Sequence, residues 1–189
     1  MGLTLIKALT ASADSSLAFV DGASDVVFDS TYNEYEFHFI NIHPGTNATI
    51  LSFQVDVASG TTYGQSITSN TFEAEHDEAG SGSALQYRTN RDQGNGTEYQ
   101  QLSEYIYNGV GDESASGVLT LYDPSSTTYV KHWMSVVNAY GNATTQVSYH
   151  SGYINQTSAI DRIRFLTTAN DMSPSGDIDA GEIKMFGVT

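Results

Sequence analysis

Residues 116–137, SGVLTLYDPSSTTYVKHWMSVV, alternate in side-chain character with a period of two on both sides of a single turn. In the first arm Leu119 and Leu121 fall on one face and Val118, Thr120 and Tyr122 on the other. The second arm sets Val130, His132, Met134 and Val136 against Tyr129, Lys131, Trp133 and Ser135. An extended strand places residues i, i+2 and i+4 on one face, whereas a helix would scatter this pattern around its circumference. Between the arms, Asp123-Pro124-Ser125-Ser126 breaks the ladder, because Pro fixes φ and lacks an N–H, and Asp and Ser bond to nearby backbone. Two strands of this length make a pleated, half-buried surface, so the chain must build a sheet with something to pack against it.

The same pattern recurs along the chain. Strands are expected at residues 3–9, 17–20, 26–29, 35–42, 49–57, 71–75, 84–88, 145–154, 159–166 and 178–186, and residues 101–107 fit either a strand or one helical turn. Tyr35, Phe37 and Phe39 oppose Glu36, His38 and Ile40; Leu51, Phe53, Val55 and Val57 read as inward, with Ser52, Gln54 and Asp56 outward. Residues 59–70, 76–83 and 90–98 read as polar loops. The 12 Tyr and 8 Phe favour sheet over helix. The expectation is an all-β fold of about ten strands, an antiparallel sandwich or barrel, in one domain over residues 1–189. No internal repeat points to a propeller or β-helix.

Charge narrows the partners. The chain carries 22 acids against 7 bases, a net charge of −15. The imbalance comes from missing Lys and Arg, not from an acidic tail. Phosphate contacts need cations, so nucleic acid is not expected as a partner, and an anionic membrane would repel the chain. Self-repulsion would keep free subunits soluble. The chain has no cysteine, which excludes disulfides and thiolate metal sites. Ala11-Ser12-Ala13 imitates a signal cleavage site, but the preceding residues lack the continuous apolar stretch a signal needs. Leu3, Leu5, Lys7 and Leu9 alternate instead, which predicts a first strand with these four on one face.

Motifs for chemistry are sparse. Asp177, Asp179 and Glu182 form a short carboxylate cluster that invites a calcium reading, though its spacing is not that of an EF-hand and a polar turn accounts for it. Glu73, Glu75, His76, Asp77 and Glu78 offer an acid/base or cation site, against which stands an exposed, solvated loop. His38, His43, His76, His132 and His150 lack metal-ligand spacing. Nucleophile-elbow, phosphate-loop and dinucleotide motifs are missing from the sequence. Asn47, Asn95, Asn142 and Asn155 head glycosylation sequons, which matter only in a secreted eukaryotic protein. Tyr129 and Trp133 share a face with Lys131, a sugar-stacking platform or simply packing surface. No cofactor, metal or catalytic residue is expected.

Four blocks carry a resemblance: residues 17–35 (LAFVDGASDVVFDSTYNEY), 39–45 (FINIHPG), 117–132 (GVLTLYDPSSTTYVKH) and 177–187 (DIDAGEIKMFG). Together they resemble small β-rich virion structural proteins of tailed phages, especially marine ones, which often close on a segment like Ile-Asp-Ala-Gly-x-Ile-Lys-x-Tyr/Phe-Gly. The resemblance implies a jelly-roll-like sandwich, trimeric, on the surface of a virus particle assembled in the host cytoplasm. A chain that begins with a strand, without particle anchor or fibrous shaft, suits a capsid decoration (cement) protein that bridges major capsid protein subunits. The alternative is a tail-fibre or spike head that recognises host surface glycan. The expected interaction surface is Leu3, Leu5, Tyr129, Lys131 and Trp133, with the strand at about residues 1–10 exchanged with or docked on a neighbour.

Overall fold

The computed structural model describes residues 2–57 and 60–189; Met1, in the strand expected over residues 1–10, and residue 59, in the loop expected over 59–70, lie outside the described residues. Thirteen strands are formed among the described residues, where about ten were expected. In chain order they are β1 (Leu3–Thr10), β2 (Leu17–Val20), β3 (Glu34–Pro44), β4 (Ile50–Val57), β5 (Ile67–Asp77), β6 (Ser83–Tyr87) and β7 (Gly94–Gly96). There follow β8 (Gln100–Gln101), β9 (Ser114–Tyr122), β10 (Lys131–Gly141), β11 (Thr144–Ile154), β12 (Ile160–Thr168) and β13 (Ile178–Val188). Residues 26–29 form no strand; Val26 and Phe28 are buried from a loop folded back by the Val26 N–H to Ala23 carbonyl bond. Residues 101–107 are mostly irregular, held by β8 and by a bridge between Thr49 and Ile106.

The strands make two antiparallel sheets. A nine-stranded sheet runs β1-β13-β3-β9-β10-β11-β5-β6, with β7 also on β5, and a four-stranded sheet runs β2-β12-β4-β8. The sheets face each other as a sandwich, and aromatic rings bridge the gap. Phe37 meets Phe165 at 5.3 Å and Phe19 at 5.4 Å, Phe39 meets Phe165 at 5.2 Å, and Phe53 meets Trp133 edge-on at 5.1 Å. The edge-to-face pairs among them, Phe19–Phe37, Phe39–Phe165 and Phe53–Trp133, each add about 0.5–1.5 kcal/mol beyond area burial.

Three details depart from the sequence pattern. First, a bulge at Ile6 breaks β1: Leu5 pairs with Phe186, but Lys7 pairs with Met185. One inserted residue inverts every later side chain. Leu3 and Leu5 therefore point to the outer face of the large sheet and Lys7 and Leu9 to the inner face, instead of sharing one. Second, the outward side of β4 is not solvated. Ser52, Gln54 and Asp56 are buried. Gln54 Nε2 donates to the carbonyls of Gln65, Thr97 and Glu98, and Asp56 accepts from the N–H groups of Val57, Thr62 and Tyr63. Burial opposes ionisation of Asp56, yet these donors hold its pKa below the usual range. Arg164 lies 4.1 Å from the Tyr63 ring centroid and 5.3 Å from that of Tyr99, so the same loops are pinned by cation–π contacts.

Third, β10 turns Lys131, Trp133, Ser135, Val137 and Ala139 inward and His132, Met134, Val136 and Asn138 outward. Room for the indole comes from Gly152, directly opposite Trp133 on β11. A Cβ on Gly152 would meet the Thr68 carbonyl oxygen at 2.4 Å and Trp133 Cζ2 at 2.9 Å. Trp133 is thus a core residue. Trp133→Ala should destabilise the fold by about 3–5 kcal/mol, read as a lower denaturant midpoint at unchanged slope. A loss below about 0.5 kcal/mol would place the side chain on the surface instead.

Candidate functional site

The expected interaction surface divides. Leu3 and Leu5 are exposed on edge strand β1, and Tyr129 is 70% exposed on the loop between β9 and β10. Lys131 and Trp133 are both buried and leave that surface. The Lys131 ammonium donates to the carbonyls of Tyr129, Gln156 and Ser158 at 3.2, 3.1 and 2.7 Å. Burial pulls its pKa down, with Asp123 opposing. Three carbonyls replace its water shell, so it fastens two loops together. With Trp133 inside the sandwich, no platform forms with Tyr129.

What the sequence reading did not single out is the outer face of the large sheet from β9 to β6. Cross-strand register lines up Val118, Val136, Tyr149, Phe72 and Tyr87 in one row across five strands. Met134 and Leu85 flank it, and Leu85 is 75% exposed. The Phe72 and Tyr149 rings are parallel within 7° at a centroid separation of 4.9 Å. That separation matches the spacing of neighbouring strands, so the two rings stack on one another across β5 and β11. Beside the row lies a trough of about 430 Å³, lined by Asn70, Tyr122, His132, Met134, Ser151 and Tyr153 among others. The signal for this face was in the sequence: β10 carries Met134 and Val136 on the face opposite Trp133 and Val137.

Behind the row sits a buried charged network, where the acidic stretch at residues 73–78 departs from the loop expected of it. Residues 73–77 belong to β5, and Glu73 points inward with no exposure. Arg91 grips Glu104 through two bonds, Nε to Oε1 at 2.7 Å and NH2 to Oε2 at 2.9 Å, and reaches Asn170 Oδ1 at 2.6 Å. Arg88 lies 3.1 Å from Glu73 and 2.9 Å from Glu104. His150 joins Thr71 at 2.8 Å. Burial pushes the His150 pKa down to about 3, so the ring is neutral at pH 7. Burial, reinforced by the neighbouring Glu104 carboxylate, raises Glu73 to about 7, while Arg91 overcomes burial to hold Glu104 low. A carboxyl proton on Glu73 also gives its otherwise unpartnered Oε2 a bond to make.

The other candidate groups do not converge. Among the described residues, no three His, Asp or Glu side chains are placed to hold a metal, and Asp177, Asp179 and Glu182 spread along the start of β13. His38 bonds Glu36 at 2.6 Å, His43 the Glu113 carbonyl at 2.5 Å and His76 the Asp77 carbonyl at 2.7 Å. A cleft of about 700 Å³ opens where the bulges of β3 and β13 meet, lined by Asn41, His43, Asp112, Glu113 and Glu182 among others. The Glu113 carboxylate is committed to the N–H groups of Asn142 and Val110, which hold its pKa low. Comparison with protein-family models, with curated proteins and with solved structures returns no match to this chain.

The acid pair makes a pH prediction. The Glu73 carboxyl is raised from 4.5 to about 7 by folding. Its contribution to stability is therefore full below 4.5 and lost as pH rises through 7, because the unfolded chain releases that proton first. Glu73→Gln keeps the neutral form at every pH. The variant's unfolding midpoint relative to the wild type should rise between pH 5 and pH 8 and level off above. Parallel midpoint profiles for the two proteins would mean that Glu73 is already ionised in the fold.

Proposed function

We propose that the protein is a virion structural protein of a tailed phage, a capsid decoration protein that binds the assembled shell from outside and bridges its subunits. The observation that carries this reading is the edge formed by β1. The strand is paired on one side only, to β13. Leu3 and Leu5 stand 50% and 53% exposed there, on the same face as Phe186, which pairs with Leu5. The bulge at Ile6 and the charge of Lys7 limit pairing along this edge, as natural edge strands do, and leave the Leu3–Leu5 end as the contact.

The resemblance noted in the sequence supports the same reading. Three of its four blocks fall on β13, β3 and β9, which are neighbours in the large sheet next to β1. The glycine of the closing segment has a physical reason: Gly181 has φ +116°, and a Cβ there would lie 2.6 Å from the Asn41 carbonyl oxygen. It lets two bulged strands, and so two of the blocks, approach closely where their register shifts. On this reading the sandwich is a jelly-roll derivative, widened by β10–β11 and β5–β6, and the protein works by binding alone. Because it binds the assembled shell and not free subunits, occupancy adds stability to the particle by mass action. Many weak contacts act together when several copies bind.

Two measurements test this. Antibody to the chain should label the heads of purified virions; label confined to tails, as a glycan-binding fibre head would give, or no label at all overturns the reading. Leu3→Glu together with Leu5→Glu should leave the thermal melt nearly unchanged, since both side chains are exposed, and lower the affinity for stripped particles by about tenfold or more. Undiminished affinity would remove β1 as the contact.

A further inference from the structure

We propose that the outer face of the large sheet from β9 to β6 is a self-association surface, covered in solution by the same face of a second copy about a two-fold axis. The inference goes beyond the particle reading and does not need it, because it uses the opposite end of the sheet.

In a chain with 22 acids and 7 bases, no outward position of β9, β10, β11, β5 or β6 is Asp, Glu, Lys or Arg. The carboxylates form a rim. The Tyr87 hydroxyl bonds Asp92, Glu78 raises the Tyr140 phenol, and burial together with Glu34 and Glu36 raises that of Tyr122. An apolar centre with a polar border is the anatomy of a protein interface. A basic partner would seek the acidic surface and would find no counter-charge here. A second copy can lay this face against its own without opposing any formal charge at the centre.

Five strands about 4.8 Å apart and about seven residues long span roughly 24 by 20–24 Å, several hundred Å² per copy. Stable interfaces start at about 600 Å² per partner, so the face is large enough for a small dimer once side-chain relief is counted. The face offers both halves of an isologous fit. Leu85 and Tyr87 project at the β6 edge, and a hollow of about 140 Å³ lies between Phe72 and Tyr149 on one side and Met134 and Val136 on the other.

β6, Ser83–Tyr87, is an outer strand without charge, proline or bulge. Unguarded edges of this kind invite pairing, and natural proteins protect or cover them. The other edge, β1, carries a lysine and a bulge. Twist accumulating at about 20° per strand turns the β1 end away from the β6 end, so a dimer at one leaves the other accessible.

Analytical ultracentrifugation of the full chain tests the proposal. A species of twice 20.4 kDa should form with rising protein concentration. Its dissociation constant should fall as NaCl is raised from about 0.05 to 0.5 M, because salt screens the two facing rims. Phe72→Glu and, separately, Leu85→Glu should each weaken association about tenfold or more with unchanged circular dichroism, and Leu3→Glu with Leu5→Glu should not weaken it. A monomer at all concentrations and salts, a trimer, a dimer that loosens with salt, or a dimer indifferent to both single variants overturns the proposal. Head labelling of virions decides the particle reading separately: a monomeric protein on heads sinks only the dimer, and a dimer on tails only the decoration role.

Discussion

A nine-stranded sheet packed against a four-stranded one has more inner surface than its partner can cover. This mismatch sets most of the remaining structure. Where the small sheet reaches, aromatic rings fill the gap: Phe19, Phe37, Phe53, Phe165 and Trp133 are all buried there. Beyond it, the inner side of β5 and β11 is closed by the segment that carries Arg91 and Glu104. Backbone cannot be buried without partners, and an irregular segment brings its own polar groups. Arg88, Arg91, Glu73, Glu104 and His150 are therefore a polar filling for a place no strand occupies. Pairing and hydrogen bonding make such a filling tolerable, while apolar contact still supplies the main driving force.

The same mismatch leaves the other side of the wide sheet without a layer. The small sheet's back is covered by loops tied down through Gln54, Asp56 and Arg164. Among the described residues the wide sheet's outer face carries no comparable cover, and from β9 to β6 it presents an apolar row flanked by uncharged polar side chains and histidines, with no Asp, Glu, Lys or Arg. A strongly acidic protein that keeps one such region has confined its self-repulsion to the border of that region. The exposed end of β1 is a second and smaller apolar site, separated from the first by the charged outward positions of β3 and β13: Glu36, Glu182 and Lys184.

The alternation of β3, β4, β9 and β10 was legible because side-chain direction in a strand is a local property. So was the all-β class, and so was the turn at Asp123-Pro124. Local pattern does not say which of two faces is inward. Met134 and Val136 are more apolar than Lys131 and Ser135, yet they point out. Gly152 opposite Trp133 and the three carbonyls around Lys131 decide the matter, and both come from distant segments. The acidic stretch at residues 73–78 reads as a solvated loop until Arg88, Gln86 and Glu104 are brought to it. Likewise Ser52, Gln54 and Asp56 look solvent-facing until loops fold over them.

The periodicity of the chain therefore established strands, turns and the lack of a basic surface, since each depends on residue type and near neighbours alone. Register, the bulge that splits Leu3 and Leu5 from Lys7 and Leu9, the unequal widths of the sheets and the resulting exposed face were settled only in three dimensions. Strand pairing joins residues far apart in sequence, and a one-residue slip or bulge reverses which side chains meet water.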